Sequence, residues 1–60
     1  MKNDLVPIVG EKVKTRIGMN WRVLTIYAIS YVNEFKVLTL SDENGYVVGD
    51  FFITQCKPCT

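Results

Sequence analysis

Histidine is missing from this sequence of 60 residues, and cysteine and proline occur only twice each. The first absence removes the commonest general base near neutral pH. The carboxylates that remain, Asp4, Glu11, Glu34, Asp42, Glu43 and Asp50, fall in turns or at strand ends, where solvation is their ordinary role. No glycine-rich phosphate cradle is present. The sequence therefore predicts no enzyme, no cofactor and no small-molecule substrate. The two cysteines, Cys56 and Cys59, sit together at the C-terminal end, whereas a secreted mini-protein would carry several pairs that join distant segments. Their usage fits a reducing compartment. No apolar run approaches the roughly 18 residues that a bilayer crossing needs. Met1 to Asp4 carry both signs of charge with no long apolar stretch behind them, so neither a membrane contact nor a signal peptide is expected, and the expected location is cytoplasmic.

Strong charge of either sign is also absent. Seven Lys/Arg against six Asp/Glu leave a net charge of +1, which is not the balance of a strong nonspecific nucleic-acid binder. What is plentiful is apolar character: 48% of residues are hydrophobic and 22% charged, a composition that folds. A chain of this length makes one domain and buries only roughly 60% of its unfolded surface, leaving no room for a cleft between lobes.

The apolar residues follow a period of two. Residues 1–8 read as a loose N-terminal arm, Pro7 holding Val6 extended, and residues 9–60 as the domain. From Glu11 to Ile17, Val13, Thr15 and Ile17 alternate with Lys12, Lys14 and Arg16, the signature of a strand with one wet face. A break at Gly18–Asn20 precedes a second strand, Trp21 to Ser30, rich in β-branched and aromatic residues. Tyr31 to Glu34 turns the chain into a third strand, Phe35 to Leu40. Ser41-Asp42-Glu43-Asn44-Gly45 is the clearest turn, because Asp and Asn tolerate turn geometry and Gly45 supplies a positive φ. Tyr46 to Phe51 is a fourth strand, with Gly49 marking a bulge or a close backbone approach. Phe52 to Gln55 predicts a tight turn before a short closing strand near Cys56, ended by Pro58. Four to five short antiparallel strands without a helical period predict an all-β fold of the small SH3-like barrel type.

The opening Gly10-Glu11-Lys12-Val13, followed by Gly18, Val23 and Ile26, resembles the "G-[DE]-x-V-x-x-x-x-G" start of small bacterial YodC-like proteins, and KOW and SH3-like modules share the same logic. The turn Ser41–Gly45 is similar to the acidic-glycine turn of that family, and Phe51 or Phe52 to its late aromatic. The middle strand departs from the YodC-like pattern, with Val37, Leu38 and Leu40 where that family is aromatic-rich. The resemblance implies the fold and no catalytic residues. The compact style also resembles small phage-encoded accessory proteins.

Three features bear on binding. Cys56-Lys57-Pro58-Cys59 has C-x-x-C spacing, half of a tetrahedral zinc set, so a metal role would need two chains sharing their pairs. Free thiols are the expected state. Lys12, Lys14 and Arg16 form a basic row, with Arg22 placed across the hairpin and Trp21 available to stack on a base. This is the alternative reading, a KOW-like nucleic-acid-binding module; the plain reading is a solvated strand face. The third feature is an excess of apolar residues on both parities of the later strands: Trp21, Val23, Tyr27 and Ile29 against Leu24, Ile26 and Ala28, then Phe35 and Val37 against Leu38 and Leu40, then Tyr46 and Val48 against Val47 and Phe51. A small barrel has one inside. The leading expectation is a non-catalytic interaction module that binds a protein partner or a second copy of itself through Tyr27, Tyr31, Phe35 and Tyr46.

Overall fold

A computed structural model describes residues 5–59, so Met1 to Asp4 of the expected arm, and Thr60, lie outside the described residues. The elements are β1 (Lys12–Ile17), β2 (Asn20–Val32), β3 (Phe35–Ser41), β4 (Val47–Phe52), a single 3-10 turn at Ile53–Gln55, and β5 (Cys56–Pro58). Every paired neighbour is antiparallel, in the order β4-β3-β2-β1-β5. The all-β class with four to five antiparallel strands is thus what the chain adopts. Phe51 from one edge strand and Cys56 from the other pack in a single core cluster, so the sheet curls on itself. Its hydrogen-bond ladder stays open, however: β4 and β5 are the two edges of one sheet and are linked through the 3-10 turn.

The turns explain the strand limits. Ile17 pairs with Asn20 around Gly18-Met19, and Val32 pairs with Phe35 around Asn33-Glu34. Two-residue hairpins of this kind need a positive φ at their first position. Gly18 takes it at 64° and Asn33 at 59°, glycine because it has no Cβ and asparagine because it tolerates the left-handed region better than most residues. In the third hairpin Asp42 holds the loop. Its Oδ1 accepts from the backbone N–H of Asn44 at 2.9 Å and of Tyr46 at 3.0 Å, while its own N–H donates to the Tyr46 carbonyl at 2.9 Å.

The core lies on one face of the sheet: Val13, Leu24, Ile26, Leu38, Leu40 and Cys56, with Ile17, Ile29, Phe51 and Ile53 around them. Leu5, which the sequence leaves in a loose arm, also packs against this cluster. Thr15 is buried among the apolar residues and satisfied there, its Oγ1 donating to the Gln55 carbonyl at 3.0 Å. Two irregularities decide which side chains reach the core. The pairing of β2 with β3 shifts between Ile26 and Ala28, leaving Tyr27 as an extra residue. An extra residue reverses the alternation: Leu24 and Ile26 face inward before it, and Ile29, not Ala28, faces inward after it. In β4, Val48 is the unpaired residue next to Gly49, and beyond it Gly49 and Phe51 share the inner face with Leu40 and Leu38.

Candidate interaction surface

The register places a group of apolar side chains on the face turned away from the core. Val32 pairs with Phe35, and Ser30 with Val37, which also pairs with Phe52. These pairs alternate with the inward Leu38 and Leu40, so Val32, Phe35, Val37 and Phe52 leave the sheet on its outer side. The rings of Phe35 and Phe52 meet edge to face, 6.1 Å between centroids and 77° between planes. Val37 stands between them in register and is only 7% exposed, although it faces away from the core. The rings themselves remain in water, Phe35 at 62% and Phe52 at 45% exposure. Beside them Phe35, Phe52 and Thr54 line an apolar recess of about 290 Å³. Further along the same face Thr39 Oγ1 donates to the Asp50 carboxylate at 2.7 Å.

The sheet edge next to this group is closed to strand addition at one end. The Phe52 N–H donates to Gln55 Oε1 at 3.0 Å, and the Val48 irregularity and exposed Asp50 interrupt the rest of β4. Bulges and edge charges of this kind prevent edge-to-edge pairing. At the other edge β5 spans three residues and includes Lys57 and Pro58.

The other half of the outer face is basic. Lys57 pairs with Lys14, Lys14 with Val23, Arg16 with Trp21 and Lys12 with Thr25. The row expected from the sequence is therefore real as a row, and Lys57 joins it. Lys57 Nζ lies 5.2 Å from the centroid of the Trp21 ring. Arg22 does not join: it pairs with Thr15, so its side chain leaves the sheet on the opposite face from Lys14 and Trp21.

No protein-family model, curated protein or solved structure matches the chain. The expected likeness to YodC-like and KOW modules therefore stands only at its coarser level, a small antiparallel all-β fold of five strands.

The four aromatics singled out by sequence are all exposed, yet they do not form one patch. Phe35 belongs to the apolar group just described. Tyr31 pairs with Lys36, in phase with the inward-facing residues, and Lys36 Nζ sits 5.7 Å from its ring. Tyr27 marks the β2 irregularity, and Tyr46 stands at the third hairpin. Val37 shares the parity of Phe35 in sequence, whereas Val32 and Phe52 join the patch only through the β2–β3 and β3–β4 registers.

The cysteines diverge. Cys56 is buried and Cys59 exposed, both as free thiols. Cys56 Sγ donates to the Phe52 carbonyl at 3.7 Å. Burial raises its thiol above the ordinary value of 9.0, a hydrogen bond with Thr15 opposing the shift. No three metal-ligating side chains gather among the described residues. The same residues include no helix long and apolar enough to cross a membrane.

One thiol per folded chain, that of Cys59, should react with an aromatic disulfide reagent, and the second only after denaturation. Equal fast reaction of both would contradict the burial of Cys56. Because the folded state holds the Cys56 proton to higher pH than the unfolded chain, this group's contribution to stability is complete below about 9 and lost as the pH rises further.

Proposed function

We propose that this protein is a non-catalytic interaction module, a small accessory protein that docks a partner protein through the outer apolar group of Phe35, Phe52, Val32 and Val37. One observation carries the reading. Two phenylalanine rings stand edge to face on the side of the sheet opposite the core, both exposed, beside an apolar recess. Removing such a surface from water is favourable for a partner that covers it, and contiguous exposed apolar groups mark interaction sites. Aromatic anchors with an adjoining recess are the usual centre of such an interface. Tyr27, Tyr31 and Tyr46 lie outside this group.

The test is capture from an extract of the native host by the immobilised chain, run in parallel with Phe35→Ser. Proteins held by the parent chain and lost with the variant support the reading. Equal capture by both contradicts it. Light scattering on the free chain shows whether the partner is a second copy.

A further inference from the structure

We infer that the other half of the outer face carries a second binding site, for single-stranded nucleic acid, centred on Trp21. It goes beyond the docking reading and rests on different residues, at the opposite end of β2 and on β1 and β5. Lys14 and Lys57 are cross-strand neighbours, as are Arg16 and Trp21. Trp21 is 47% exposed and is the chain's one tryptophan. Lys57 belongs to β5, two strands away from β2, a separation of about 10 Å. Its side chain must therefore pass over β1, between Lys14 and Arg16, for Nζ to reach 5.2 Å from the ring centroid. The result is an exposed indole surrounded by three cations.

The net charge of +1 hides this site. Among the described residues, Glu34, Asp42, Glu43 and Asp50 all belong to β3–β4 or the turns that flank β3, and of their carboxylates Glu11 alone adjoins β1. The two halves of the sheet thus differ in sign. Lys12 is the exception within the basic row: it lines one recess with Asp42 and Glu43, on the side away from Trp21. Lys14, Arg16 and Lys57 remain for the ligand.

The chemistry selects among polyanions. Cations two residues apart along a strand match the repeat of an extended phosphodiester backbone, and an exposed indole offers a stacking plane for an unpaired base. An acidic peptide would use the charges and leave the indole without a role. A duplex keeps its bases stacked on one another and likewise leaves Trp21 idle. In the free protein the Lys57 ammonium occupies the ring by a cation–π contact. On binding, the base takes that place and Lys57 turns to a phosphate.

The single tryptophan makes the test site-specific. The whole chain is titrated with a thymidine homo-oligonucleotide while Trp21 fluorescence and the anisotropy of a labelled oligonucleotide are read, with polyglutamate, polyphosphate and a DNA duplex as comparisons. The oligonucleotide should quench Trp21 and bind more tightly than all three. Its affinity should fall about 20-fold between roughly 50 and 200 mM salt, as expected for three phosphate contacts on a single strand. Trp21→Ala should weaken binding roughly 5- to 150-fold, with Trp21→Phe largely restoring it. Lys14→Ala, Arg16→Ala and Lys57→Ala should each reduce the logarithmic salt slope by about 0.7, and Lys12→Ala by clearly less. The inference is overturned if the oligonucleotide does not bind, if polyglutamate or duplex binds as well as the single strand, or if Trp21→Ala, folded by circular dichroism, binds like the parent.

Discussion

Leu38→Ala should leave the chain largely unfolded at room temperature. Leu38 has no exposed surface and sits in a core of only six buried residues. It pairs with Ile29 on one side and Phe51 on the other, so it joins the central strand of the β2–β4 half to both neighbours. Replacing a buried leucine by alanine costs about 2–5 kcal/mol, the larger values where surroundings cannot collapse into the space. Collapse is poor here, because the residues around Leu38 are held in a hydrogen-bonded ladder. A domain of this size has only roughly 3–5 kcal/mol of stability to lose. Far-UV circular dichroism and urea titration check the outcome: the parent should unfold cooperatively and the variant should lack a folded baseline. A cooperative urea transition with its midpoint close to that of the parent would show that the core lies elsewhere.

Phe35→Ser should have the opposite profile, a small effect on folding and a large one on docking. The side chain is mostly in water, so its removal costs little buried area, and the edge-to-face contact with Phe52 is worth about 0.5–1.5 kcal/mol. Some cover over Val37 is lost as well. An aromatic anchor at the centre of an interface, by contrast, is commonly worth 2 kcal/mol or more on truncation, about a 30-fold loss of affinity. The variant should therefore melt as a folded protein and fail to hold the partner. Loss of folding with retained capture, or a variant that binds like the parent, would place the interface on another part of the molecule.

The sequence made the strands and turns legible because each has a local cause. The alternation of Val13, Thr15 and Ile17, the glycine at position 18, and the Asp42–Gly45 turn all act within a few residues. The 3-10 turn and the closing strand at Cys56 were readable for the same reason. Side-chain direction beyond an irregularity was not. Counted by parity, Ile29 goes with Trp21 and Val23, yet the extra residue at Tyr27 turns it into the core. The Val48 irregularity likewise separates Val47 from Phe51. Part of the apparent apolar excess is thus absorbed by these two irregularities, and what remains outside is gathered around Phe35 and Phe52. Cross-strand partners were equally hidden. Lys57 lies 36 residues from Trp21 in sequence, and only the β1–β5 pairing brings it to the indole. Arg22 differs from Trp21 by one residue, which is enough to place it on the other face.

The most direct measurement is site-specific photo-crosslinking in native cells, with a benzophenone side chain at position 35 and, in a separate chain, at position 19. Met19 is the more exposed of the two, at 83% against 62% for Phe35, but it stands at a hairpin tip away from the apolar group. If the Phe35–Phe52 surface is a protein-docking site, discrete crosslinks to protein should form from position 35 and not from position 19. Equal yields from both, or none from position 35, would mean that these rings are merely exposed and bind nothing.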